Sequence, residues 1–290
     1  VLTCNLTKTY NRSYNITGDF FMLKIRMSVA GNSFVLTDDY KNTADNAVSL
    51  CEKYHTDGVA YISKNNGSFG YFLRNADGSG AAFCGNVTMC FAKLLFDRGL
   101  VKDKTFYIST PSKKKKVTVI SKGKKCSKVA LEVDKLHFYT VYDNRFGSVL
   151  LRLKIKKTDI RIRAYPIDVG NRHLVIFNRQ GVNCNDEEIV NAVYESGLFP
   201  GGVNIEFATI YKNKIKVRVY ERGCGKTLAC GSGACAVAFA AKQAGYRQNF
   251  IIEFEGGSYN SVVNKKGVTI TGTPVFDEET EMFYDSKIGL

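Results

Sequence analysis

The chain has 290 residues, of which 44% are hydrophobic, and its 41 Lys and Arg against 27 Asp and Glu give a formal net charge of +14. This length is enough for about two domains with a sizeable core. The sequence has no run of about 18 apolar residues, which argues against a transmembrane helix, and its four prolines argue against extended linkers.

The nine cysteines form an odd, scattered set without a C-x-x-C pair. Such a set is typical of a reduced, cytoplasmic protein with a few functional thiols. None of the three histidines lies at metal-ligand spacing from a group of cysteines, so no metal site is expected. Residues 1–21 lack a continuous apolar stretch and do not resemble a signal peptide. We expect them to be an N-terminal extension, with the folded core starting near Met22.

The first half of the chain alternates predicted strands and turns, with two predicted helices. The predicted strands are 22–29, 34–39, 59–64, 70–75, 105–110, 116–120 and 128–133. One helix is expected over 46–54. A second is expected from Cys84 to about residue 98, with Gly99 as its stop signal.

The second half repeats this plan. The predicted strands are 161–170, 173–177, 203–211, 214–221, 249–254, 258–263, 267–272 and 280–284, the last four arranged as two hairpins. A helix over 185–196 begins with acidic residues, where the helix dipole favours them. Another is expected from Cys230 to about Gln243, stopped by Gly245.

The two helices that follow a cysteine are apolar nearly all round, in CFAKLLF and CAVAFAA, so we expect both to be buried. A β-sheet wrapped around each helix would bury it. The sequence therefore predicts an α+β fold of two pseudo-symmetric domains, 22–150 and 151–290. Each would be a mostly antiparallel sheet around one central helix.

The basic charge is partly concentrated at Lys113–Lys116 and at the lysines just after them. A basic cluster can bind nucleic acid. It is also typical of a solvated hairpin, here 117–120 with 129–133, whose lysines discourage pairing at a sheet edge. No aromatic platform or zinc-finger spacing supports nucleic-acid binding, so we expect no nucleic-acid partner.

Cys84 and Cys230 stand at equivalent places, each followed by glycine and a polar residue at the start of a helix, in AFCGNVTM and ACGSGACA. A helix N-terminus binds carboxylates and lowers a thiol's pKa. Two thiols on opposite faces of one carbon could invert it, one removing a proton as thiolate and the other delivering a proton. Other cysteines are better interpreted as small buried hydrophobes, namely Cys51, Cys90, Cys126 and Cys235.

Several ordered motifs resemble the diaminopimelate epimerase family: GNSFVLTD (31–38), NADGSGAAFCGN (75–86), GNRH (170–173), VNIEF (203–207) and ERGCGKTLACGSGACA (221–236). The resemblance implies two similar α/β domains with the site between them. It also implies cofactor-independent catalysis, an amino-acid substrate and no membrane association, and it is compatible with a homodimer.

By position in these motifs, the resemblance implies that Cys84 and Cys230 are the catalytic pair. Donors around the reacting carboxylate would be Gly85, Asn86, Gly231 and Ser232. The rest of the substrate would be held by Asn32, Asn75, Asn171, Asn204, Glu221 and Arg222, with His173 in a supporting role. From the residues alone, Glu221 and Arg222 are equally compatible with a surface ion pair, and the asparagines with turn or cap positions.

The chain departs from the family pattern at CGNVTM, where CGNGAR is usual, at Arg172, where proline is usual, and at Lys226. The first hypothesis is therefore epimerisation of LL-diaminopimelate to the meso form, in lysine and peptidoglycan biosynthesis. The alternative is a racemase of another amino acid, such as histidine, with Val87-Thr88-Met89 altering substrate preference. The third hypothesis is a non-catalytic nucleic-acid-binding protein.

Overall fold

The structure is a computed structural model, which describes residues 22–39, 41–65, 67–139, 141, 147–177, 184–277 and 281–283. The predicted extension, 1–21, lies outside the described residues. The helices are α1 (Ala44–Tyr54), α2 (Gly85–Asp97), α3 (Asp186–Glu195) and α4 (Gly231–Gln243). Among the described helices, none is long and apolar enough to cross a membrane.

The strands of the first half are β1 (Met22–Val29), β2 (Asn32–Thr37), β3 (Gly58–Asn65), β4 (Ser68–Asn75), β5 (Gly80–Ala81), β6 (Thr105–Ser109), β7 (Lys114–Lys122), β8 (Lys125–Asp134) and β9 (His137–Phe138). Those of the second half are β10 (Val149–Ile155), β11 (Thr158–Asp168), β12 (Arg172–Phe177), β13 (Asn204–Tyr211), β14 (Lys214–Glu221), β15 (Gly225–Thr227), β16 (Asn249–Phe254), β17 (Gly257–Asn264), β18 (Gly267–Gly272), β19 (Val275–Phe276) and β20 (Glu281–Phe283).

The two halves repeat one pattern of strand pairing. In the first half β1 pairs antiparallel with β2, β2 parallel with β3, β3 antiparallel with β4, and β4 parallel with β6. Strands β11, β12, β13, β14 and β16 pair with the same orientations in the second half. Each half ends in an antiparallel meander, β6-β7-β8 or β16-β17-β18. The α+β architecture of two similar halves is confirmed. The domain division at residue 150 stays a prediction.

The halves are joined by the antiparallel pairing of β8 with β18. A strand near the end of each half also pairs with the other half: β9 pairs with β11, and β19 pairs with β1. Helices α2 and α4 contact each other and the sheets around them. Both belong to one continuous buried cluster, as their all-round apolar sequences predict.

Local signals account for where the helices begin and end. Thr43 caps α1 by accepting from Asn46 N at 3.2 Å, and Asn185 forms a reciprocal capping box with Glu188 at α3. Gly99 and Gly245 follow α2 and α4 with φ of 69° and 87°. Only glycine adopts that left-handed backbone at little cost, which is why these residues stop the helices as predicted.

One prediction of strand pairing is wrong, and one strand was missed. The predicted hairpin of 267–272 with 280–284 does not form. Instead β18 pairs with β17 and β8, and β20 pairs with β1. Strand β10 was not predicted, although its exposure alternates along VLLRLKI. It pairs with β11 beside the core that α3 covers.

The lysine-rich segment forms the predicted hairpin, β7 with β8. It is not a sheet edge, however, because β7 also pairs with β6 and β8 with β18. Lys113 and Lys116 form ion pairs with Asp134 and Glu132 across the hairpin. Lys115 differs from the solvated lysines that the sequence predicts for this hairpin. It is only 4% exposed, and its ammonium lies 4.0 Å from the centre of the Phe83 ring. Burial lowers the pKa of Lys115 to about 8.

Candidate active site

Cys84 and Cys230 are the N-cap residues of α2 and α4, the two central helices. Their backbone conformations are nearly identical, with φ and ψ of −137° and 124° at Cys84 and −135° and 117° at Cys230. The first turn of each helix presents backbone N–H groups without partners inside the helix. The sequence prediction that each thiol stands at the start of a buried helix is confirmed.

The two helix N-termini approach each other closely. A Cβ added to Gly231 would lie 3.0 Å from Asn86 Oδ1, so only glycine allows this approach without a shift of Asn86. Asn86 is itself fixed, since its Oδ1 accepts from the Tyr259 hydroxyl at 2.8 Å and its Nδ2 donates to Asn32 Oδ1 at 2.9 Å. The N-termini of α2 and α4, which Cys84 and Cys230 cap, therefore meet at the junction of the two halves.

The two thiols are held differently. Cys230 Sγ accepts from Gly233 N at 3.4 Å and lies 3.3 Å from Ser232 Oγ. Cys84 Sγ makes no such cap hydrogen bond. Instead its backbone is held, because the Tyr71 hydroxyl donates to Cys84 O at 3.0 Å.

Both thiols have a raised pKa. Burial raises the pKa of Cys84 to about 11, although the backbone N–H groups of Val87 and Asn86 act to lower it. Burial also raises the pKa of Cys230, and the Glu221 carboxylate adds to the shift of both thiols. The expectation that the helix N-terminus produces a net lowering is wrong for this structure, since desolvation outweighs the N–H groups.

A polar cluster on the first half surrounds Asn32. Its Nδ2 donates to Asp57 Oδ2 at 2.8 Å, and the same carboxylate oxygen accepts from Ser33 N at 2.7 Å. Asp57 also raises the pKa of Cys84, so its charge reaches the site. Sequence reasoning missed Asp57. The signal was its place in HTDG, directly before the apolar segment that forms β3.

A second polar cluster lies on the other half. His173 Nδ1 lies 2.6 Å from Glu206 Oε1, and Nε2 lies 3.2 Å from Asn171 Oδ1. Asn171 Nδ2 in turn donates to Ser232 Oγ at 3.4 Å, next to Cys230. His173, Asn171 and Ser232 are thus brought together as predicted.

Glu206 was missed as a site residue, although its signal was visible. It is a carboxylate inside VNIEF, an otherwise apolar strand, two residues after Asn204 and so on the same face of β13. It is fully buried, and its Oε2 has no hydrogen-bond partner among the described residues. A Cβ on Gly233 would lie 2.8 Å from its Oε1, so the carboxylate lies against the first turn of α4.

Glu221 ends β14 and Arg222 follows it, and the described contacts include no ion pair between the two. Thr227 donates to Glu221 Oε1 at 2.6 Å, while Arg222 Nη1 donates to Gly201 O at 2.7 Å. The buried Asn204 accepts from Arg222 N at 2.9 Å and so fixes the chain at this point. Burial raises the pKa of Glu221, and interaction with Thr227 and Cys230 lowers it in part.

Asn75 is the one predicted substrate residue whose side-chain amide is engaged within its own loop, donating to Ser79 Oγ at 3.0 Å. It ends β4 as Glu221 ends β14, so the two occupy equivalent places in the halves. Strand pairs β2–β3 and β12–β13 share one register. Phe34 therefore occupies the position in the first half that is equivalent to His173, and Ala60 the position equivalent to Glu206. The two halves therefore differ, since the buried His173 and Glu206 near Cys230 have no ionisable equivalents near Cys84.

The residues that distinguish the first cysteine motif do not line the site. Val87, Thr88 and Met89 are all fully buried in α2. Arg172, the second departure, lies with its guanidinium 5.3 Å from the centre of the Tyr139 ring. The hypothesis that Val87-Thr88-Met89 alter substrate preference stays a prediction.

Comparison with known proteins gives one consistent result. The family described as diaminopimelate epimerase matches residues 165–276. The diaminopimelate epimerase of Desulforapulum autotrophicum is 30% identical over 257 residues, covering 80% of this chain and 88% of the relative. That of Bacteroides thetaiotaomicron is 33% identical over 271 residues, covering 88% of this chain and 97% of the relative.

Solved structures share the fold at low identity. A hydroxyproline epimerase from Agrobacterium vitis, with bound trans-4-OH-L-proline, superposes with a TM-score of 0.66 at 14% identity, covering 92% of this chain and 94% of that one. A PhzF-family phenazine biosynthesis protein from Bacillus anthracis gives 0.65 at 13% identity, covering 92% and 100%. At these identities the similarities show only that this chain shares its fold with the two solved structures.

Proposed function

This chain belongs to the diaminopimelate epimerase family, and on that premise we propose that it interconverts LL- and meso-diaminopimelate. It is an isomerase of the racemase and epimerase type. The proposal includes a role in lysine and peptidoglycan biosynthesis. The observation that carries the mechanism is the pair of N-cap cysteines on two facing helices with the same backbone conformation.

In the proposed reaction one thiol, as thiolate, removes the α-proton of the substrate and becomes a thiol. The other thiol delivers its proton to the opposite face of the same carbon and becomes the thiolate. The Cα–H bond that breaks is replaced by one of opposite configuration, and the enzyme's charge is unchanged. For the reverse reaction Cys84 and Cys230 exchange roles. The two thiols supply both base and acid, so no cofactor is part of the proposal.

The negative charge that develops during proton removal spreads onto the substrate carboxylate. Backbone N–H groups at two helix N-termini are suited to bind it, since they are preorganised and carry partial positive charge. The donors we propose are Gly85, Asn86, Gly231 and Ser232. Their two helices meet where Gly231 lies against Asn86, so one carboxylate can contact both.

We propose that the distal end of the substrate contacts polar side chains around this centre. Arg222 is exposed and its planar guanidinium suits bidentate binding of a distal carboxylate. Glu221 is placed to interact with an ammonium group. The asparagines proposed to complete this set are Asn32, Asn75, Asn171 and Asn204.

The structure gives no specific support to another amino acid as substrate. The departures that motivated a racemase of a different amino acid, such as histidine, are the buried Val87-Thr88-Met89 and Arg172 beside Tyr139. The nucleic-acid hypothesis is also weakened, because lysines of the basic hairpin are engaged with Asp134 and Glu132.

A substrate panel tests the proposal. The purified chain is incubated in D₂O with LL-diaminopimelate, meso-diaminopimelate, histidine and other amino acids, and α-deuterium is measured by mass spectrometry. We expect incorporation into diaminopimelate only. Exchange into another amino acid without exchange into diaminopimelate would overturn the substrate assignment. A cytoplasmic location is also proposed, because the mechanism needs Cys84 and Cys230 as reduced thiols. Whether the enzyme works as a homodimer stays a prediction.

A further inference from the structure

The backbone of Cys84 is held by two side chains that no catalytic role accounts for. The Tyr71 hydroxyl donates to Cys84 O at 3.0 Å and accepts from Cys84 N at 3.4 Å. Thr88 Oγ1 lies 2.8 Å from both the Tyr71 hydroxyl and Cys84 O. Tyr71 is 4% exposed and Thr88 is not exposed, so water does not compete for these bonds.

This arrangement fixes the orientation of Cys84. One phenol oxygen bridges the N–H and the C=O of the same residue, which holds both peptide planes that flank its Cα. The direction of the Cα–Cβ bond, and hence the region the thiol can reach, follows from those planes. Cys84 Sγ has no cap hydrogen bond like the one from Gly233 N to Cys230 Sγ, so the held backbone contributes to its orientation.

The other half provides an internal comparison. Thr88 and Ala234 each lie four residues after the cysteine of their helix, and Tyr71 and Val217 each lie four residues before the end of β4 and β14. The equivalent pair near Cys230 is therefore apolar and cannot hold its backbone. Cys230 is oriented through its sulfur instead, by Gly233 N.

We infer that Tyr71 and Thr88 are positioning residues that hold Cys84 at the angle required for proton transfer. The inference rests on the proposed function, because it names Cys84 as a base. It assigns a role to Thr88, one of the three residues that distinguish this chain's first cysteine motif. Burial raises the pKa of Tyr71, so the phenol stays protonated and remains a donor.

Thr88→Val and Thr88→Ser form a matched pair, since valine keeps the shape without the hydroxyl and serine keeps the hydroxyl. We expect Thr88→Val to lower kcat about tenfold with KM changed less than about twofold, because misplacement affects the transition state. Thr88→Ser should retain kcat within about twofold. Tyr71→Phe should resemble Thr88→Val, and the double variant should lose little more than either single one, as expected for groups that act on one carbonyl.

A readout that does not need epimerase activity separates this inference from the proposed function. Alkylation of Cys84 and Cys230 is followed by peptide mass spectrometry in variants whose folding is verified by circular dichroism. Thr88→Val should change the Cys84 rate at least about threefold and leave Cys230 unchanged. If Thr88→Val does not fold, Tyr71→Phe takes its place. An unchanged rate of Cys84 alkylation would overturn the inference, and so would an equal loss of kcat in Thr88→Val and Thr88→Ser. A shifted rate in a chain inactive on diaminopimelate would overturn only the proposed function.

Discussion

Glu206 Oε1 lies 2.6 Å from His173 Nδ1, and neither side chain is exposed to solvent. His173 is held at its other nitrogen by Asn171, which continues through Ser232 to Cys230. A buried carboxylate is thus connected to the Cys230 thiol by a series of polar contacts. The other half has Phe34 and Ala60 at the two equivalent positions, where no such chain can form.

Removing one partner of this buried pair should destabilise the protein. Glu206→Ala leaves the buried His173 without its hydrogen-bond partner, and we expect a loss of about 1–3 kcal/mol in the free energy of unfolding. The double variant His173→Phe/Glu206→Ala copies the first half and should recover at least half of that loss while epimerase activity stays low. Urea unfolding measures both. A cost below about 1 kcal/mol for the single variant would contradict this account.

The raised thiol pKa values predict activity that rises with pH. Below a raised pKa the thiolate is a minority, and its fraction increases about tenfold per pH unit. With the pKa of Cys84 at about 11, kcat/KM should rise steadily from pH 7 to 9.5. Initial rates at constant ionic strength test this.

The same shifts limit the range of that experiment. A thiol whose pKa is higher folded than unfolded stabilises the protein below the unfolded pKa and loses this contribution as pH rises above it. Circular dichroism at each pH therefore serves as the control. A flat or falling profile in a fully folded protein would argue against a thiolate base.

Much of this fold could be predicted from the sequence because its signals are local. The four helices follow from apolar spacing, caps such as Asn185, and stop glycines such as Gly99 and Gly245. The crossed pairings of β19 and β20 with β1 could not be predicted. They depend on which strand edge remains unpaired in the other half, and no local pattern encodes that.

The site was predicted less evenly. Cys84 and Cys230 follow from a repeated motif, but the net effect of their surroundings does not, because desolvation depends on the packing of both halves. Glu206 was readable as a carboxylate in an apolar strand. Its pairing with His173 was not, since it requires the register of β12 against β13.

The close approach of α2 and α4 predicts different costs for two equivalent glycines. A Cβ on Gly231 would lie 3.0 Å from Asn86 Oδ1, whereas one on Gly85 would meet its nearest neighbour, Leu131, at an ordinary 3.4 Å. We expect Gly231→Ala to lower the free energy of unfolding by about 1–3 kcal/mol and Gly85→Ala by less than about 0.5 kcal/mol. Equal costs in thermal unfolding would show that the helices do not meet in this way.

Arg222 should act in binding more than in catalysis. Arg222→Lys keeps the charge and loses the bidentate fork, so KM for diaminopimelate should rise at least about tenfold with a smaller change in kcat. Arg218→Lys is the control, because Arg218 lies within β14 and pairs with Asp186. An unchanged KM in Arg222→Lys would remove this residue from the proposed substrate site.

The central claim is that Cys84 and Cys230 act as base and acid on opposite faces of one carbon. Its most direct test is the first turnover of LL-diaminopimelate in D₂O by the wild-type chain and by Cys84→Ser and Cys230→Ser. If two separate thiols carry the protons, the meso product should contain deuterium while the recovered substrate retains its α-hydrogen. Each serine variant should lose most epimerisation, because serine is a far weaker base. Full epimerisation by either serine variant, or equal deuterium in substrate and product from the start, would contradict the claim.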